Sequence, residues 1–239
     1  MKILITGASG DIGSSIVKKI KEKWDSAKIY EVNRRETKTT TYKCDLTNIK
    51  EIEELCVKIK NTDFDVLINC AGWSTPISFE KLNLDDINKR MNINYYAPLM
   101  LMKTVIPNMK KNNSGIIINI SSVTAVSPVP DLHIYSAAKR ALDSITVSTA
   151  IEYSNNNIRI NGIHPGSINT KAASDGRKIL GDLRNIKPEQ YEENMKSING
   201  YNRLLTPEEI ANTVMFLMSD ESSGITGQII NVCGVMEVH

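Results

Sequence analysis

Short β-branched runs, each followed by a longer amphipathic stretch, recur along the whole chain, and this alternation limits the possible folds more than any other feature. The runs fall at 2–6, 28–32, 40–44, 65–70, 115–120, 158–163 and 227–232, and the amphipathic stretches at 12–24, 48–60, 84–110, 134–154 and 207–218. In the last stretch Ile210, Val214 and Leu217 recur at helical spacing behind Pro207, whose fixed φ suits a first turn. Continuously apolar runs belong to parallel strands covered on both faces, because a half-exposed strand would alternate apolar with polar. The expectation is an α/β chain with helices on both faces of a mostly parallel sheet of seven strands. No internal repeat or low-complexity linker divides the 239 residues, so one domain over 1–239 is expected. Segment 171–200 is polar, dense in charge and broken by Gly176, Gly181 and Pro188, and reads as a surface insertion.

Composition narrows the function classes. Twenty-nine basic against 27 acidic residues give +2, too little for the electrostatic footprint of a nucleic-acid or membrane partner. Cys44, Cys56, Cys70 and Cys233 form no Cys-x-x-Cys pair, and His133, His164 and His239 form no spaced ligand set. Neither a zinc site nor a disulfide framework is expected. The chain runs from Met-Lys directly into Ile3-Leu-Ile5, leaving no room for a signal peptide, and no apolar run approaches membrane-spanning length. A cytoplasmic location is expected.

The first strand ends at Thr6, glycines follow at 7, 10 and 13, and a helix begins near Ser14. Glycines let a backbone turn sharply against a diphosphate, and free N–H groups at the helix start attract it. At the first strand–helix junction of an α/β chain, this points to dinucleotide binding and to a doubly wound, Rossmann-type sheet. The second strand ends in Glu31-Val-Asn-Arg-Arg35. Asn33 stands where an NAD site usually carries an acid for the ribose 2′-OH, and Arg34 and Arg35 suit a 2′-phosphate. NADP(H) is therefore favoured over NAD(H), unless a shifted strand end puts Glu31 at the contact. Asp45, after the third strand, and Asn69-Cys-Ala-Gly72, after the fourth, lie at carboxyl ends of strands, where open parallel sheets bind ligands.

Tyr135-Ser-Ala-Ala-Lys139 brings a phenol and an ammonium onto one helix face, and Ser122 closes the apolar run before it. The three groups suit proton transfer to or from a carbonyl or alcohol oxygen. A free phenol titrates near pH 10, and a neighbouring cation favours its ionised form.

Together these motifs resemble the short-chain dehydrogenase/reductases of the small single-domain type, nearly end to end. Thr6-Gly7 to Gly13 resembles the family's cofactor glycine motif, Asn69 to Gly72 its Asn-Asn-Ala-Gly turn, and Ser122, Tyr135 and Lys139 its catalytic set. Asn94 resembles the asparagine that completes the tetrad, and Asn161 to Gly166, with Ile168 and Thr170, the segment holding the nicotinamide carboxamide. Arg203 to Ala211 and Ile225 to Val232 resemble the closing helix and strand. The resemblance implies that Gly7, Ser9, Gly10, Asp11, Ile12, Gly13, Asp45, Leu46, Asn69, Ala71, Gly72, Pro165, Gly166, Ile168 and Thr170 contact the coenzyme. It implies that Tyr135 is the acid/base, that Ser122 binds the substrate oxygen, and that Lys139 holds the nicotinamide ribose and acidifies the phenol. Asn94 would anchor a water linking Lys139 to solvent. Three departures stand out: Asp11 for the usual middle glycine, Cys70 for the second asparagine, and Cys233-Gly-Val235 where relatives often read Asp-Gly-Gly.

The resemblance is greatest to 3-oxoacyl-(acyl-carrier-protein) reductases, which implies an NADPH-dependent ketone reductase acting on a 3-oxoacyl thioester. Alternatives are an alcohol, polyol or sugar dehydrogenase, and a non-catalytic dinucleotide sensor, against which the intact Ser122, Tyr135 and Lys139 count. Segment 171–200 would form a lid longer than an acyl-carrier reductase needs. Its Arg177, Lys178, Arg184 and Lys187 could meet an acidic carrier protein or form a solvated face. Val123, Val126, Val129, Leu132 and His133 are expected beside the serine. Relatives assemble through the helices matching 84–110 and 134–154, so a homotetramer or homodimer is expected.

Overall fold

The structure, a computed structural model, describes residues 1–236. Seven strands form one sheet: β1 (Lys2–Thr6), β2 (Lys28–Asn33), β3 (Thr40–Lys43), β4 (Val66–Asn69), β5 (Gly115–Ile120), β6 (Ile158–Pro165) and β7 (Ile229–Val232). Their order is β3-β2-β1-β4-β5-β6-β7, and every pairing is parallel. Side chains alternate across a strand, so β1 feeds two cores at once. Leu4 packs with Ile52, Leu101 and Ile117 on one face, while Ile3 and Ile5 pack with Ile16, Ile210 and Val214 on the other. All three β1 side chains are fully buried, and each contributes roughly 1.5–3 kcal/mol relative to exposure.

The helices are α1 (Asp11–Lys23), α2 (Ile49–Ile59), α3 (Leu84–Met91), α4 (Ala97–Lys111), α5 (His133–Tyr153), α6 (Lys171–Leu183), α7 (Pro188–Ser197) and α8 (Pro207–Met218). The single helix expected over 84–110 is interrupted by a π turn at Asn92–Tyr96. The wider turn rotates Asn94 inward, where its amide donates to the carbonyls of Trp73 and Arg90. Segment 171–200 is not a loose insertion but the pair α6 and α7, with Arg177, Leu180 and Tyr191 buried. Thr170 caps α6 by accepting from the Ala173 N–H at 3.1 Å. In its last turn Gly181 leaves room for the chain that follows, because a Cβ there would lie 2.7 Å from the Ile186 carbonyl oxygen.

From β1 the chain moves outward to β2 and β3, then crosses back to β4 on the other side. The strand order reverses between β1 and β4, which opens a crevice beyond their carboxyl ends. Among the described residues no helix is long and apolar enough to cross a membrane, and no His/Cys/Asp/Glu cluster could hold a metal. His239 lies outside the described residues.

Candidate active site

The turn between β1 and α1 needs two of its three glycines. Gly7 has φ +68°, and a Cβ there would meet the Ala71 backbone at 2.9 Å; a Cβ on Gly13 would meet the Gly7 carbonyl oxygen at 2.1 Å. Gly10 has more room, its nearest neighbour being the Gly7 oxygen at 3.4 Å. The Ser9 N–H donates to Asn33 Oδ1 at 3.0 Å, so the end of β2 steadies the turn. Asp11 reaches away from it, accepting from the Lys171 N–H at 2.7 Å.

A cavity of about 830 Å³ opens over this turn. Of the residues expected at the coenzyme, Gly7, Ser9, Gly10, Asp11, Ile12, Gly13, Asn33, Arg34, Asp45, Leu46, Ala71, Gly72 and Thr170 line it. Glu31 does not: it is buried, and its carboxylate accepts from the Thr39 hydroxyl at 2.8 Å and the Asn33 amide at 3.3 Å. Two residues expected at the coenzyme lie off this lining. Arg35 is exposed and lies outside the lining. Asn69 is buried beneath the cavity floor, its amide donating to Asn119 Oδ1 at 2.8 Å, and Asn119 in turn donates to Thr146. This buried polar chain pins β4 to β5 and α5 rather than facing a ligand.

A second cavity, of about 480 Å³, holds Ser122, Tyr135 and Lys139 together with Pro165, Gly166, Ile168 and Thr170. The two cavities share Ile12, Cys70, Gly72, Ser74, Thr170, Ala172 and Gly176, so they form one continuous cleft. Val123, Val129 and Leu132 line the second; Val126 and His133 do not, and His133 instead accepts from the Asp131 N–H and packs edge-on against Phe79.

Ser122 begins a 3₁₀ turn, and its Oγ accepts from the N–H of Thr124 at 3.1 Å and its hydroxyl at 3.0 Å. Tyr135 and Lys139 share one face of α5, with the ammonium 5.7 Å from the phenol ring centre. Lys139 is 3% exposed and donates to the Ile120 carbonyl at 2.7 Å. Burial lowers its pKa from 10.5 to about 8, against the opposing pull of Cys70 and Asp143. The phenol is not the acidified group expected from its cationic neighbour. Burial raises its pKa above 10.0, opposed by the hydrogen bond from Ser122. The Cys70 thiol is likewise pushed up, to about 12, by burial.

Asn94 is fully buried and lines neither cavity. Its Oδ1 accepts from the Trp73 N–H at 3.1 Å, and a Cβ on Gly72 would come within 3.2 Å of Asn94 Oδ1 and 3.7 Å of Lys139 Nζ. Asn94 thus braces the turn that separates it from the lysine. Arg90 aids it by stacking over the Trp73 ring at 4.5 Å. Trp73 and Thr47 also line the larger cavity, although no motif singled them out; Trp73 could have been found as the residue directly after the Ala71-Gly72 turn. The lid cations divide: Lys178 and Lys187 are exposed, whereas Arg184 bonds Tyr191 Oη and the Pro130 carbonyl, and Arg177 is buried.

A glycine cradle at a strand–helix turn, joined by one cleft to a serine, tyrosine and lysine set, defines a dinucleotide-dependent oxidoreductase by fold and site. Residues 14–235 match the family model described as Enoyl-(Acyl carrier protein) reductase. The chain is 34% identical to 3-oxoacyl-(acyl-carrier-protein) reductase of Rickettsia bellii, over 98% of this chain and 95% of that protein. It is 28% identical to 7alpha-hydroxysteroid dehydrogenase of Escherichia coli K12, over 97% and 92%. Among solved structures, 4-hydroxyisoleucine dehydrogenase complexed with NADH superposes with a TM-score of 0.84 at 27% identity, covering 98% of this chain and 97% of that one. A variant of actinorhodin polyketide ketoreductase with NADPH shares the fold, with a TM-score of 0.89 at 24% identity over 100% and 97%. The chain belongs to the short-chain dehydrogenase/reductase family and is an NAD(P)-dependent oxidoreductase.

Proposed function

We propose that this chain is an NADPH-dependent carbonyl reductase that converts a ketone to a secondary alcohol. One observation carries the reading: Ser122, Tyr135 and Lys139 line one cavity that continues into the glycine-lined cleft. The hydride is what a nicotinamide coenzyme supplies when bound there. Gly7 to Gly13 would hold its diphosphate, Arg34 its 2′-phosphate, and Pro165 to Thr170 its nicotinamide side. Ser122 orients the substrate oxygen. Tyr135, whose raised pKa keeps it protonated at neutral pH, donates its proton to that oxygen as negative charge develops. Lys139 binds the ribose hydroxyls and restores the proton to the phenol. NADP(H) is favoured over NAD(H) because Arg34 lines the cleft while the Glu31 carboxylate is taken up by Thr39 and Asn33.

For the substrate, likeness to the Rickettsia enzyme supports a 3-oxoacyl compound, with a thioester as the form that enzyme's name implies. Lys178 and Lys187 would be the cations available to an acyl carrier protein. Likeness to the hydroxysteroid and hydroxyisoleucine dehydrogenases supports a second reading, a dehydrogenase of secondary alcohols. The test is coenzyme oxidation with acetoacetyl-CoA, run with NADH and NADPH in parallel beside a panel of alcohols and polyols. NADPH-dependent turnover that Tyr135→Phe abolishes is the expected result. Silence with the oxoacyl thioester and brisk NAD-linked oxidation of an alcohol would move the reading to the second class. Should Tyr135→Phe leave every measurable function intact, a sensor would replace both.

We further propose a cytoplasmic homotetramer or homodimer assembled through α4 and α5, in keeping with the exposed Tyr96 and Ile151 beside and on those helices. Light scattering that returns a monomer at micromolar concentration would remove this.

A further inference from the structure

The smaller cavity carries a charge that reducing a ketone does not use. Among the described residues its wall contains two cations, Lys139 and Arg177, and no carboxylate. Lys139 belongs to the catalytic set. Arg177, on α6, is 7% exposed; its Nη1 donates to the Ile168 carbonyl at 3.2 Å, and its Nη2 reaches Glu192 Oε2 at a long 3.4 Å. Its Nε is buried with no acceptor among the described residues. A guanidinium presents five N–H donors in a rigid fork matched to a carboxylate, and these two bonds leave most of the fork unengaged.

A permanently charged group in a wall shared with Leu180, Met195 and Ile198 is costly unless acceptors surround it. Glu192 offsets this only in part, because its carboxylate is 37% exposed and its attraction is screened by solvent. Arg177 lines a cavity of about 480 Å³, the size of one small ligand, which also holds Ser122 and Tyr135. An anionic group on the substrate would complement the cations of this wall.

We propose that Arg177 is a specificity-determining residue, and that the carbonyl substrate carries a carboxylate which seats on its guanidinium while the carbonyl oxygen meets Ser122 and Tyr135. The proposal rests on the carbonyl-reductase reading and names the substrate class within it. That class is a small oxo acid, or the matching hydroxy acid in the reverse direction, so a 3-oxoacyl chain would be taken as the free acid in preference to the thioester.

The experiment uses matched pairs that differ only in the charge: acetoacetate and methyl acetoacetate, 4-oxopentanoate and its methyl ester, with acetoacetyl-CoA alongside. The wild-type protein should prefer acid over ester by about 10–100-fold in kcat/KM, mostly through KM, the range of a hydrogen bond to a charged group. Arg177→Gln should bring the acid down to the level of the ester and leave the ester unchanged; Arg177→Lys should recover part of the preference. Glu192→Gln, which leaves Arg177 in place and removes its competitor, should lower the KM of the acid alone. Equal use of acid and ester by the wild type, or an equal loss of both in Arg177→Gln, would reduce Arg177 to a brace between α6 and α7. A rise in the acid's KM in Glu192→Gln would do the same. Turnover of acetoacetyl-CoA and the esters without the acids removes this proposal and leaves the reductase standing. No NADPH oxidation with any of these carbonyls removes both.

Discussion

Asp11 Oδ2 accepts a hydrogen bond from the backbone N–H of Lys171 at 2.7 Å, joining the first turn of α1 to the first turn of α6 across 160 residues of chain. The carboxylate meets the positive end of α6, where negative charge is favoured. It therefore clasps α6 to the glycine turn from which it springs. Asp11→Ala removes the clasp without disturbing Gly7 or Gly13. The expected outcome is faster amide hydrogen exchange confined to 171–183 and coenzyme release a few-fold faster, from a bond worth about 1 kcal/mol at an exposed site. Unchanged exchange in α6 would show that the bond has no hold on the lid.

Arg34 lines the larger cavity and Arg35 does not, so the two neighbouring arginines should differ under substitution. Arg34→Ala should lower the NADPH-to-NADH ratio of kcat/KM by about 10–100-fold, the loss of one charge-assisted phosphate contact. Arg35→Ala should leave the ratio within about two-fold, since exposed charges away from a site contribute little. Parallel steady-state assays with the two coenzymes decide it. Equal effects of the two substitutions would return the coenzyme preference to the strand end as a whole.

The glycine turn separates in the same way. Gly13→Ala drives a Cβ to within 2.1 Å of the Gly7 carbonyl oxygen, a backbone atom that cannot step aside. Coenzyme binding should be lost, and stability should fall by at least about 2 kcal/mol. Gly10→Ala meets that oxygen only at 3.4 Å and should bind coenzyme within a few-fold of wild type. Fluorescence titration with NADPH and urea unfolding of both variants test this. A Gly10→Ala protein as damaged as Gly13→Ala would mean that the turn must move on binding.

The features legible in sequence were those set by local pattern. Short β-branched runs located all seven strands, and the first glycine turn marked the crevice. Tyr135 and Lys139 needed only helical spacing to share a face. What escaped depends on contacts distant in sequence. Asn69 sits in a motif that suggested a ligand contact, yet Asn119, fifty residues on, draws its amide into the sheet. Segment 171–200 contains glycines that argue against helix, but Gly181 is required by the Ile186 carbonyl, and a buried Tyr191 anchors α7. Arg177 read only as one of four cations that could meet a carrier protein or form a solvated face, because nothing local separates a charge that folds inward from one that does not. Spacing likewise gave the nearness of phenol and ammonium correctly but not the balance between attraction and desolvation, which depends on depth.

That balance gives Lys139 a measurable cost. Burial lowers its pKa from 10.5 to about 8, so between those values the unfolded chain binds more protons than the folded one. Stability from this group therefore rises with pH through the window, and its charge weighs most below pH 8. At about 1.36 kcal/mol per unit, the burden there is on the order of 3 kcal/mol. Lys139→Met keeps the apolar stem, removes the charge and forfeits the bond to the Ile120 carbonyl, worth about 1 kcal/mol. The variant should be inactive yet more stable than wild type at pH 7 by roughly 1–3 kcal/mol, with the gap closing as pH rises toward 10. Urea unfolding of both proteins at pH 7 and pH 10 measures it. A variant less stable at pH 7, or a gap indifferent to pH, would mean that the ammonium is adequately solvated where it lies and that its depressed pKa has another origin.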